Sequence, residues 1–157
     1  MVSFRQSWDF SQPFVSAIFS SAPTYYSNHS HRDVNSFSLS LKGDLAIDSG
    51  YYDSYKSTHW QNYFTQTIAH NSLVFSDVNG NMINQEIRHA PKSFSEVLSG
   101  QFVAGGISAF TDQPSYSYAL GNGAQAYAPG LLNQFKRHFV FLKQDSVLQW
   151  PVIVVYD

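Results

Sequence analysis

Ser36-Phe37-Ser38-Leu39-Ser40-Leu41-Lys42-Gly43-Asp44-Leu45-Ala46-Ile47-Asp48 alternates apolar and polar side chains on both sides of a short polar interruption. A β-strand points successive side chains to opposite faces, so Phe37, Leu39 and Leu41 predict a core-facing row and the three serines an outer one. Lys42-Gly43-Asp44 reads as a three-residue hairpin loop in which Gly43 is free to take a positive φ. In that register Leu41 opposes Leu45 and Leu39 opposes Ile47, all turned to the core, and Asp48 emerges on the polar face beside Ser38. The stretch predicts an antiparallel hairpin that ends in a carboxylate.

The same kind of signal recurs outward in both directions. Short runs rich in Val, Ile, Phe, Tyr and Ser predict strands over 14–19, 72–75, 93–103, 115–120, 135–142 and 147–155. Asp77-Val78-Asn79-Gly80-Asn81 and Gly121-Asn122-Gly123 are the clearest turn signals between them. Residues 51–67 are the least strand-like and predict a long excursion over a surface. The expected class is all-β: an antiparallel β-sandwich or a multi-strand sheet, forming the β part of a larger protein. The last residues, Val152-Ile153-Val154-Val155-Tyr156-Asp157, lie within a strand-forming run, so residues 1–157 are expected to be one β-sheet domain cut from a longer polypeptide.

Composition narrows the functional classes. A chain of 157 residues suits one domain, and 43% hydrophobic with 17% aromatic residues favours a packed core over disorder. Charged residues make up only 13% and the formal charge is −2, so there is no basic field for nucleic acid or an anionic membrane. The absence of cysteine excludes disulfide scaffolds, thiol nucleophiles and cysteine-held zinc. No apolar run approaches the ~18 residues that span a bilayer.

Histidines carry the most promising chemistry. His29 and His31 stand at i and i+2 in Asn28-His29-Ser30-His31, which on an extended strand turns both to one side. His70 follows Thr67-Ile68-Ala69, and Asp48 is the best-placed carboxylate. Imidazole nitrogen and carboxylate oxygen are ordinary zinc ligands. Each has a plainer reading taken alone: a surface or core histidine, a strand-to-turn exit at Asp48-Ser49-Gly50, a loop cap at His70. Arg32, Lys56, Arg88 and Lys92 could line a path for an acidic sugar chain or simply be solvated. The rings around Trp60, Tyr63 and Phe64 could stack on sugars or pack on one another.

Taken in order, His29-Ser30-His31-Arg32-Asp33-Val34-Asn35-Ser36-Phe37, Gly43, Leu45-Ala46-Ile47-Asp48-Ser49-Gly50-Tyr51-Tyr52 and Thr67-Ile68-Ala69-His70-Asn71-Ser72-Leu73-Val74 resemble the start of the β-sheet domain of heparinase II/III-like polysaccharide lyases. Gln134-Phe135-Lys136-Arg137-His138-Phe139-Val140-Phe141 is similar to that domain's later strands, where the family continues past a Val-Val-x-Asp. The resemblance implies a helical (α/α toroid) domain upstream, with the polysaccharide in the cleft between the two. It implies zinc held by His31, Asp48 and His70, and His29 turned to the catalytic cleft. That divides a pair which strand geometry alone would send to one site. It implies β-elimination on a uronate-containing acidic polysaccharide, alginate first and a heparin-like glycosaminoglycan second, in a periplasmic or secreted enzyme. The catalytic tyrosine of such lyases belongs to the helical domain, so none of Tyr25, Tyr26, Tyr51 and Tyr52 is assigned that role. A non-catalytic carbohydrate-binding or scaffolding β-sandwich accounts equally well for the aromatics and low charge. A zinc hydrolase ranks behind both, because no glutamate base stands near the ligands.

Overall fold

The computed structural model describes residues 1–22, 30–86, 95, 99 and 105–157, and among these described residues it forms ten strands. They are β1 Val2–Arg5, β2 Ser16–Ser20, β3 Ser36–Ser40, β4 Asp44–Ala46, β5 Phe75–Ser76, β6 Met82–Ile83, β7 Gly106–Asp112, β8 Tyr116–Asn122, β9 Lys136–Leu142 and β10 Val152–Tyr156. One sheet runs β1-β2-β3-β4, a second runs β10-β9-β8-β7, and β5-β6 is a separate two-stranded ribbon across the expected 77–81 turn. Every pairing is antiparallel. The all-β expectation holds. Among the described residues no helix is long and apolar enough to cross a membrane.

Alternation builds the core. Val2 pairs with Phe19, Phe19 with Phe37 and Ala17 with Leu39, which aligns one apolar row across β1, β2 and β3 while Ile18 faces out. On the second sheet Ala119, Phe139 and Phe141 are the inward residues, with Ile153 and Val155 from β10. The two rows meet face to face as in a β-sandwich. The Phe139 ring lies 4.9 Å from Phe4, 5.4 Å from Phe19 and 5.6 Å from Phe37, centroid to centroid. Its full burial makes it the centre of the sandwich.

The decisive hairpin forms one residue away from its expected register. Ser40 pairs with Asp44, so the loop is Leu41-Lys42-Gly43, and Lys42 carries the positive φ (57°) instead of Gly43. A bulge follows, pairing Leu39 with Ala46. The extra residue turns Leu45 and Ile47 to solvent, at 59% and 50% exposure, where core positions were expected. Phe37, Leu39 and Leu41 do pack on the core.

Other differences have local causes. β1 and β7 were not expected: β1 alternates over only four residues, Val2-Ser3-Phe4-Arg5, and β7 is an edge strand with broken alternation and much of its length exposed. The last strand begins only at Val152, because Asp145 Oδ1 accepts the Val147 and Leu148 amides and folds 145–148 into a turn. Gly121-Asn122 is strand, not turn. A Cβ on Gly121 would stand 2.2 Å from Asn35 Oδ1 and 2.6 Å from the Phe19 ring, so glycine here permits close packing. The strand expected over 93–103 lies outside the described residues, apart from Ser95 and Ser99.

A second, smaller core sets the position of the loops. Val34, Ala126, Tyr127 and Phe135 are buried together, with Leu73, Phe75 and Ile83 packed against them. This cluster lies where β3 and β9 begin and β8 ends, so segments 30–35 and 65–73 gather at one end of the sandwich.

Candidate metal centre

His31 precedes β3 by a short turn rather than lying on a strand. Its neighbour Arg32 pins that turn down: the backbone amide donates to Thr65 O (3.0 Å), Nε to Gln85 O (2.6 Å) and Nη1 to Gln66 Oε1 (2.6 Å). Buried Gln85 completes the clamp. Its Oε1 accepts the Val34 amide and its Nε2 donates to Val34 O, much as a paired strand would. The His31 ring is thereby held 4.9 Å from Phe64, edge to face, and 5.2 Å from His70.

His70 closes the 3₁₀ turn Thr67–Ala69 and returns to extended backbone. Asp48 arrives along the segment after β4. Two contacts bind these segments together. The Ser49 amide donates to Ala69 O at 2.7 Å, and Asn71 Nδ2 donates to both Ile47 O (3.2 Å) and Phe37 O (3.0 Å). Ser49 Oγ also meets Tyr63 Oη at 2.7 Å. Neighbours of each of the three residues are therefore fixed by bonds of their own: Arg32 beside His31, Ile47 and Ser49 beside Asp48, Ala69 and Asn71 beside His70.

One donor atom from each of His31, Asp48 and His70 lies within 4.8 Å of the others. Ligands of a tetrahedral ion at ~2.0–2.2 Å stand ~3.3–3.6 Å apart, so small side-chain rotations bring this set onto one centre. His70 supplies an independent sign. Its side chain is wholly buried, Nδ1 lies 2.9 Å from Asp48 Oδ1, and yet neither ring nitrogen makes a hydrogen bond among the described residues. A pair aimed at a common point, and not along the line between them, has this geometry. Buried polar groups rarely go unpartnered, and the donor set fits a borderline divalent cation such as zinc.

Asp33 is a carboxylate that the sequence reading passed over. Burial pushes its pKa up, His70 opposes the shift and Asp48 adds to it, which places Asp33 in the field of two members of the cluster. Asp33, Asp48, Ser36 and Ser38 line one hollow of about 410 Å³. Its position two residues after His31 was the signal available.

The remaining candidates separate. His29, Tyr25, Tyr26, Arg88 and Lys92 lie outside the described residues. Arg32 is engaged as above and borders a cleft of about 480 Å³ with Trp60, Asn62 and Asn84. The 51–64 excursion forms no strand. It stacks Tyr51 on His59 (5.0 Å) and Tyr55 on Trp60 (4.8 Å), leaving the tyrosine rings substantially exposed.

A family model described as "Heparinase II/III-like, C-terminal" matches residues 13–148, most of the chain and all three members of the cluster. No curated protein matches.

Proposed function

The chain belongs to the heparinase II/III-like family, and on that premise we propose that it is the metal-holding β-sheet domain of a polysaccharide lyase. The observation that carries the reading is the convergence of His31, Asp48 and His70, with His70 Nδ1 2.9 Å from Asp48 Oδ1 and neither buried ring nitrogen hydrogen-bonded among the described residues. Zinc bound there would supply a fixed positive charge tying together three segments distant in sequence. In this reading its role is structural.

The substrate is a uronate-containing acidic polysaccharide, with alginate ahead of a heparin-like glycosaminoglycan. The difficult step is loss of the C5 proton beside a carboxylate. A base takes that proton, the C4–O bond breaks with its electron pair going to oxygen, a C4=C5 double bond forms, and an acid returns a proton to the leaving oxygen. Donors aimed at the uronate carboxylate stabilise the charge that develops. His29, two residues before a ligand, is the proton-transfer group contributed by this domain. The tyrosine and further polar partners come from an upstream helical domain, and the substrate lies between the two. A periplasmic or secreted location suits a polymer of this size.

The test is absorbance of the unsaturated product. The protein joined to its helical domain should generate it from alginate or a related polyuronate, while residues 1–157 alone should give little. Product lacking the double bond would point to hydrolysis. A chain that binds acidic polysaccharide, carries no metal and is indifferent to chelator would favour a binding module without chemistry.

A further inference from the structure

Arg137 stands on β9 in the inward row that continues with Phe139 and Phe141, and it is 4% exposed. A guanidinium in such a place is costly unless fully paired. Asp157, just past β10, takes it as a fork: Nε to Oδ1 at 2.6 Å and Nη2 to Oδ2 at 2.7 Å. That pair neutralises the charge and leaves Nη1 to donate to two backbone carbonyls, Asn35 O at 2.7 Å and Asn71 O at 2.8 Å. Neither carbonyl belongs to the second sheet. Asn35 ends the turn that begins at His31, and Asn71 directly follows His70.

The chain of contacts reaches all three ligands. The Asn71 side chain holds Ile47 O, next to Asp48, and Ser72 Oγ donates to Val34 O on the His31 side. A sandwich needs only an apolar residue at position 137, as its neighbours on the same face show. What the arginine adds is a rigid tie from the second sheet to the loops that carry the cluster.

We propose that Arg137 and Asp157 are positioning residues of the metal centre: the clasp sets the separation of the His31, Asp48 and His70 segments. This rests on the metal reading given above. Lysine cannot substitute, since a single ammonium cannot present a fork to a carboxylate and also reach two carbonyls. Carboxylates and carbonyls that orient a ligand typically change metal affinity by ~10–100-fold when removed.

Two measurements on the 157-residue chain decide it. In the first, zinc affinity is obtained by competition and Co²⁺ absorbance reports ligand geometry, for wild type, Arg137→Lys, Asp157→Asn and Phe141→Leu. The last variant loosens the core away from the loops. Both clasp variants should weaken binding ~10-fold or more and alter the Co²⁺ spectrum. Phe141→Leu should lower Tm with affinity unchanged. In the second, amide hydrogen exchange of the metal-free chain should speed up at 47–49 and 70–72 in Arg137→Lys and Asp157→Asn, and not in Phe141→Leu. Wild-type affinity in both clasp variants, or an affinity loss that follows Tm equally in all three, overturns the proposal. If wild type binds no metal, the metal reading falls and the exchange pattern alone judges the clasp: unchanged exchange at 70–72 removes it.

Discussion

His70 has a wholly buried side chain; its Nδ1 stands 2.9 Å from Asp48 Oδ1, while its Nε2 has no hydrogen-bond partner among the described residues, and such an unpartnered buried group costs about 1–3 kcal/mol. A cation removes part of that cost, so metal content and stability should fall together. His31→Ala and His70→Ala should each lose bound zinc and the Tm gain it confers, read by metal analysis and calorimetry. Under the proposed function, His29→Ala should behave differently in a protein that also carries the proposed helical domain, abolishing turnover while zinc content and Tm stay near wild type. Equal behaviour of all three variants would contradict the division of roles. Tyr127 gives a separate residue-scale test. Burial pushes its phenol up to about 12, with Gln85 and Arg137 pulling the other way. A raised folded-state pKa means the stabilisation is complete below the ordinary tyrosine value near 10 and is lost as pH climbs through 12. Tyr127→Phe should flatten that alkaline loss, a difference of roughly 2–3 kcal/mol at most, measured by denaturant unfolding between pH 9 and about 12.

Strands and turns account for what sequence could and could not disclose. The apolar row of Phe37, Leu39 and Leu41 was legible because period-two alternation is a local property, and the His31, Asp48 and His70 group, which the structure brings together, was legible as residue types in the order of a known family. The register of the hairpin was not, because the bulge after Leu39 depends on how β3 and β4 settle on the core, and it sends Leu45 and Ile47 outward. Gly121-Asn122-Gly123 carried the composition of a turn, yet β8 extends into it as far as Asn122, with Asn35 and Phe19 packed closely against Gly121. Gln85 and Arg137 were illegible for the same reason: their partners lie 51 and 102 residues away. Two substitutions test this placement. Gly121→Ala should destabilise by about 1–3 kcal/mol through overpacking. Leu45→Ser should stay within about 0.5 kcal/mol of wild type, where a core leucine would cost several. Denaturant midpoints for the pair check both.

At the scale of the molecule, two sheets close over a phenylalanine core, and one end of the sandwich collects the turns that bear His31, Asp48 and His70. The rigid core holds Phe139 against both sheets, and Phe139→Ala should cost about 3–5 kcal/mol and release the loops with it. Metal binding should work in the opposite sense. Zinc at ~100 times its Kd adds about 2.7 kcal/mol, which for a chain of this size raises Tm by roughly 5–10 °C. The most direct measurement is therefore a calorimetric zinc titration of the chelator-stripped chain, run beside Asp48→Asn and His70→Ala. Wild type should saturate at one ion per chain and both variants should bind far more weakly; a wild type that takes up no zinc, or variants that match it, would contradict the account.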